Sequence, residues 1–525
     1  MPVNKGKTWA QLVVKVRHDR VQPLTQSSGT TTTHQRIGSF GSRAHPLTIA
    51  WCTIRTLGTV LSNSLLSAAI AWLLAFCIDQ GNIFSSVTSK EQPHAVFLTA
   101  KMIWFWIFAW VFTIAECVAK LLPETFTSPS SSTPFKLSAT KLIIKLVRAM
   151  FVHIVGVSAM SIGVGFAIAS DHLAHDMFKA DVYWPMMCYN FILTVTDAHT
   201  RHIFRVETVN GKARARRPSR HIKQPQQPPR TPRRTPSGGH FVRVFVQNLA
   251  LVISGLSAGA FVHVASSIEM KEKWQLVLFA MCSQTIKLLI QATAKLYLGK
   301  RKKTPSMRTM AIIVSAPTIL VDTQLRTVLL CLDSTSMTLT GSVLLAIAKT
   351  GLRLLTALHM RHQTRKILIK HPPPSVAMLP QDSIIRTHRV QSLLSARGSS
   401  SAPELEGIAR VQKLTALHAA EVYADMHGEY IAMCCAYVII ICFGSNPRFV
   451  LGGNASTKST HEIELSTILV QMGIEVVVDI IAIPLEIRFG VNFEKFQTDD
   501  AFLAIFMVLV AVVSIHIASG VYMKI

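Results

Sequence analysis

Several sets of ionisable residues in this chain recur at spacings that place them on one helical face within apolar stretches. Gln284, Lys287, Gln291 and Lys295 fall within about 80° of arc at 100° per residue, a basic stripe. Asp322 and Arg326 stand four apart, the spacing of an intrahelical ion pair. Lys349 and Arg353 share that spacing, where like charges repel unless another helix supplies acids. Glu464, Gln471, Glu475, Asp479 and Glu486 all lie within about 40° of the direction of Glu475, an acidic stripe. A fifth set, His418, Glu421, Asp425 and Glu429, shares one face within about 80°. Three chemistries suit such sets: conduction of an ion, proton or small charged solute, ion pairing between helices, and metal ligation by the fifth set.

The elements that carry these residues are membrane-length helices. Half of the 525 residues are apolar and 16% are charged, where an average soluble domain is about 25% charged. Mean hydropathy is +0.36. A soluble globular protein and a single-anchor protein are both excluded. Ten apolar runs each approach the ~20 residues that a helix needs to cross a bilayer. They are Leu57–Ile78, Phe97–Ala119, Ala149–Ala169, Val244–Ala265, Trp274–Leu298, Thr309–Leu332, Met337–Met360, Ala424–Phe443, Ile463–Leu485 and Ala501–Met523. An eleventh, Val182–Thr200, is weaker and carries Pro185 near its start.

Charge distribution settles how these runs alternate. The net charge is +26, and the Lys/Arg-rich segments 1–56, 120–148, 201–243, 299–308, 361–413 and 488–500 should all be cytoplasmic. That requires an even number of crossings between successive basic segments, so Val182–Thr200 must also span. The expectation is an all-α polytopic helix bundle of eleven spans with a cytoplasmic N-terminus, in the plasma membrane or a secretory-pathway endomembrane. Residues 57–200 form a first membrane bundle of four spans, 244–360 a second of four, and 409–525 a third of three whose first helix has a cytoplasmic extension. The sequon at Asn454 falls in an outer loop of this topology, as glycosylation requires. No cleavable signal precedes the first run, and the nine cysteines, free of CxxC spacing, read as small apolar residues.

Between the bundles, residues 205–240 and 361–408 read as disordered. The first holds Arg214, Arg216, Arg217, Arg220, Arg230, Arg233 and Arg234 among prolines. This basic loop suits anionic lipid, or an SH3-like partner through its PxxP pattern, and equally a topology signal with no partner. Nucleic acid is not expected as a partner, because the arginines lack interleaved aromatics.

Depth matches the charged helices. Lys287, Asp322, Arg326, Lys349, Glu475 and Asp479 fall near mid-bilayer, and Lys295, Arg353, Asp425 and Glu429 in the inner half. Unpaired, these five bases and five acids would cost on the order of 25–35 kcal/mol, more than the ~5–15 kcal/mol stability of a typical protein. They must face inward and pair, which packs the runs around Lys287, Asp322 and Arg353 against those around Asp425 and Glu475. A transport pathway and a structural set of ion pairs both satisfy this. Pro317, Pro484, Gly341 and Gly351 would permit broken helices, and Gly428 a hinge between the cytoplasmic and membrane parts of its helix. For the metal reading, His418, Glu421, Asp425 and Glu429 would need further ligands such as Glu486, and the competing reading is a solvated helix face. No HExxH or Walker A motif is present, and no cofactor is indicated.

The remaining ionisable residues are isolated. Lys101 and Glu116 lie near opposite ends of their run, within snorkelling reach of the interfaces. His153 and His516 are lone histidines, and the aromatics from Trp104 to Phe112 occupy all faces of one helix, as packing or lipid-facing surface. The stretches Pro317–Arg326 and His418–His427 resemble segments of uncharacterised multi-spanning membrane proteins of oomycetes. The resemblance covers mainly the half from about residue 244 onward. It implies a multi-spanning membrane fold and no particular activity.

Overall fold

Long apolar stretches form helices, and several of these helices extend well beyond the apolar runs that nucleate them. The structure, a computed structural model, describes residues 46–127, 134–170, 178–216, 281–283, 285–293, 307–330, 350–351, 353–367, 402–451, 465–489, 491, 493 and 500–524, with isolated positions between 242 and 264. The helices are α1 (Pro46–Gln80), α2 (His94–Leu121), α3 (Ala139–Ala169), α4 (Ala180–Glu207), α5 (Val209–Arg216), α6 (Met307–Leu330), α7 (Ala402–Gly444), α8 (Leu465–Arg488) and α9 (Asp500–Val521). Residues 285–293 and 353–367 are also helical. Most of Val244–Ala265 and most of Met337–Met360 lie outside the described residues.

Five described helices are long and apolar enough to cross a membrane: α1, α2, α3, the Lys413–Gly444 part of α7, and α9. α9 is the innermost, packed by α1, α2, α4, α6 and α7, with 89% of its apolar stretch buried. α3 is peripheral, packed by α2 and α4 and only 17% buried. Its outer face shows Ile144, Phe151, Val152 and Phe166. α8 is inverted relative to a helix in water: Val477, Ile480 and Ile481 are exposed while Glu475, Asp479 and Glu486 are buried. Only an apolar surrounding makes that orientation favourable.

The weak run Val182–Thr200 forms the 28-residue α4, which passes between two layers of helix ends. At one layer, Lys179 donates through Nζ to the Met523 carbonyl (2.9 Å), Val450 N bonds Tyr522 O (2.8 Å) and Asn446 bonds Asp79 (2.8 Å). At the other, Val209 N bonds Thr125 O (2.9 Å), Asn210 bonds Glu124 (2.9 Å), and Lys145 pairs with Glu207. α4 tolerates its low hydropathy because neighbouring helices cover its polar side chains: Tyr189 bonds Thr113 (3.1 Å), and Asn190, Thr194 and Thr196 are buried. The aromatic α2 is fastened to its neighbours by indole N–H groups, Trp106 to Ser161 (2.9 Å), Trp110 to Ser158 (3.0 Å) and Trp104 to Gly81 O (3.1 Å).

Three expectations change. First, Arg214, and with it residues 205–216, is not in a disordered loop. Thr208 accepts from Gly211 N (3.0 Å) at the start of α5, and the Arg214 guanidinium lies over the Phe204 ring at 5.5 Å. Capping and tertiary ties override the weak helix propensity of this segment. The linker 361–408 likewise loses both ends to helix, at 361–367 and from Ala402. Second, α6 and α8 continue through Pro317 and Pro484. Third, α7 is an unbroken 43-residue helix, about 65 Å long at 1.5 Å per residue, and Gly428 is not a break in it. A Cβ at Gly428 would lie 2.8 Å from Thr318 Cγ2, so the glycine permits close approach of α6 and α7.

Gly428→Ala is therefore expected to lower stability by about 1–3 kcal/mol, since Thr318 is short, branched and hydrogen-bonded and has little room to yield. Gly156→Ala on α3, where an added methyl meets nothing within 4 Å, should leave the thermal midpoint unchanged or raised. Thermal unfolding of both purified variants checks the pair.

Candidate functional site

The charged stripes converge in the interior between α6, α7, α8 and the helical residues 285–293 and 353–367. Lys287 Nζ lies 2.7 Å from Asp322 Oδ2 and 3.6 Å from Asp425 Oδ1. Gln291, one turn on, donates to Asp425 Oδ1 (2.9 Å) and to the Thr318 hydroxyl (3.1 Å). Arg326 Nη2 bonds Glu475 Oε1 at 2.9 Å. Arg353 spans two carboxylates of α8, Asp479 at 2.8 Å and Glu486 at 3.1 Å, and Tyr430 of α7 donates to Asp479 Oδ2 at 3.0 Å. The ion pairs of Asp322 and Arg326 thus run to other helices, not to each other along α6. The α-helical four-residue spacing brings two side chains near one another, but here stronger partners face them from across the interface.

The two remaining bases of the sequence-derived set, Lys295 and Lys349, lie outside the described residues, as do Asn454 and Arg217, Arg220, Arg230, Arg233 and Arg234. Arg216 is the last residue of α5. Glu429 is 3% exposed and sits among the same helices.

The face of His418, Glu421, Asp425 and Glu429 is not solvated: His418 is 6% and Glu421 9% exposed. Leu417, Ala420, Tyr423 and Met426 pack around it against Leu57, Met310 and Phe502. His418 Nδ1 is 3.7 Å from Glu421 Oε2, and Asp425 is engaged by Lys287 and Gln291. Among the described residues no three His, Cys, Asp or Glu side chains converge as metal ligands. On the next turn, His427 accepts no charge partner from this face; it meets the Tyr423 carbonyl (2.9 Å) and Asn63 of α1 (3.4 Å).

A further buried ion pair escaped the sequence reading. Lys101 does not snorkel: it is fully buried and bonds Asp181 at 2.6 Å. Snorkelling needs a path along the helix to the interface, and α9 closes it. Gly520 lies so near that a Cβ there would be 2.8 Å from Lys101 Nζ and 3.1 Å from Asp181 Oδ2. The available signal was the acid at the start of the weak run, placed by the alternation of spans at the depth of Lys101. His516 stacks on Phe105 with centroids 3.9 Å apart, and His153 faces His199 at 5.5 Å. Glu116 pairs within its own helix with Lys120 at 3.0 Å.

An apolar exterior, an inverted α8 and charges gathered inside define a helical integral membrane protein. Comparison of the chain with protein-family models, with curated proteins and with solved structures gives no match.

Removing one member of a buried pair leaves an uncompensated charge, which costs about 3–5 kcal/mol, whereas removing both is close to neutral. Arg326→Gln and Glu475→Gln should each destabilise strongly, and the double variant should recover most of the loss in a double-mutant cycle on detergent-solubilised protein.

Proposed function

We propose that this protein is a transporter or channel for an ion, proton or small charged solute, carried along the charged network between α6, α7 and α8. The observation that supports this reading most is the gathering of charge inside the bundle. Asp322, Asp425, Glu429, Glu475, Asp479, Glu486 and Glu421 are all buried or nearly so, together with Lys287, Arg326 and Arg353. Intramembrane acids and bases that face the interior commonly mark the route of an ion or proton. Along α8, Glu475, Asp479 and Glu486 space this acid over about 16 Å, roughly half of a bilayer's hydrocarbon thickness.

In this reading all eleven runs span, the N-terminus is cytoplasmic, and the protein resides in the plasma membrane or a secretory endomembrane. The layer that holds Lys141, Lys145, Arg148, Lys212 and Arg214 then faces the cytoplasm and its anionic lipids. The competing reading, a scaffold whose charges only fix helix order, draws support from the short distances at Arg326 and Arg353.

Asp479→Asn separates the two. Arg353 keeps Glu486, so extraction and thermal midpoint should stay near those of the unmodified protein, while flux of protons or alkali cations in reconstituted vesicles should fall to background. A variant that unfolds, or an unmodified protein that moves no ion under an imposed gradient, supports the scaffold.

A further inference from the structure

We propose that Lys287, Asp322, Asp425 and Thr318 form the binding position for one small monovalent metal cation of the sodium class, with Lys287 as its tethered competitor. The proposal deepens the transport reading and rests on it for the passage of the ion, though not for its binding.

One ammonium group is shared unequally by two carboxylates on different helices. Lys287 bonds Asp322 of α6 at 2.7 Å and only reaches ion-pair range of Asp425 of α7, at 3.6 Å. Asp322 is 1% exposed, and its Oδ1 has no hydrogen-bond donor. A buried carboxylate oxygen normally finds a donor, water or ion. With both acids ionised the three groups carry one net negative charge, and a single positive charge completes the balance. A divalent ion would overshoot it while Lys287 remains.

The donors are oxygens, the carboxylates of Asp322 and Asp425 and the hydroxyl of Thr318, which is held in place by Gln291 and the Val314 carbonyl. Hard cations select such donors, and no thiol or imidazole is needed. Gly428, by admitting α7 close to Thr318, sets the spacing between the two helices that supply the acids. When the cation binds, the ammonium of Lys287 yields Asp425 to it and withdraws towards Asp322. The lysine thereby keeps the site from standing empty and fully charged.

The test uses the full-length purified protein in detergent, with thermal unfolding followed as sodium chloride replaces choline chloride at constant ionic strength. Lys287→Met removes the competitor, so its midpoint should rise by several degrees with sodium, at lower concentration than any rise in the unmodified protein. Adding Asp322→Asn should abolish the rise. A Lys287→Met midpoint that is the same in sodium and choline overturns the site. Where Lys287→Met does not fold, Asp425→Asn decides: it removes the surplus charge but keeps the Lys287–Asp322 pair. The sodium stabilisation of the unmodified protein must then be present and must vanish in that variant; its persistence, or its absence from the unmodified protein, overturns the site. Sodium-dependent stabilisation without flux retires transport and keeps the site, whereas flux without any sodium response retires the site and keeps transport.

Discussion

A charge that leaves water must be met by another charge, and much of the arrangement of these helices follows from that requirement. At mid-bilayer a lone ionised side chain costs a few kcal/mol, an appreciable share of a protein's stability. Lys287, Arg326 and Arg353 each find a carboxylate on another helix within 3.1 Å. Apolar contacts alone could not choose which helix lies beside which, because lipid chains are as apolar as leucine. The charges make the choice. α8 shows it directly, with its acids turned inward and its valines and isoleucines outward.

The same requirement operates at two other levels. Lys101 and Asp181 tie α2 to α4, and the bare backbone at Gly520 lets α9 seal them from both water and lipid. At the helix ends, where backbone groups lack intrahelical partners, Asn446, Arg448 and Lys179 reach carbonyl and carboxylate oxygens of other segments. Side-chain charge and backbone polarity are thus satisfied by the same device, a partner brought from a distant part of the chain.

How far the sequence discloses this depends on whether an interaction leaves a periodic trace. The apolar runs do, and so do the stripes on α8 and around Lys287, whose four-residue repeats show which residues share a face. A stripe shows only its own helix, however. That Asp322 turns to Lys287 and not to Arg326 depends on side chains that approach from elsewhere in the fold. Single residues leave less. Lys101 has a partner 80 positions away in a run diluted by polar groups, and nothing local distinguishes it from a lysine near an interface. Gly428 reads as a weak point because glycine is flexible by itself, yet a packed neighbour gives its missing side chain the opposite meaning. The α5 segment, rich in arginine and poor in apolar residues, is held by ties to residues 124–127 that composition does not reveal.

The Arg326–Glu475 pair also has a history during synthesis. Its members are 149 residues apart. At ~5–20 residues per second the ribosome makes the acid roughly 7–30 s after the base. Over that interval α6 has already left the exit tunnel with an arginine whose eventual partner does not exist. It must wait at the insertion machinery, lean on Asp322 of its own helix, or keep its arginine near the lipid headgroups until α8 arrives. The order of helices in the finished bundle is therefore also a schedule, in which the central helices become secure only when the acidic helix is delivered.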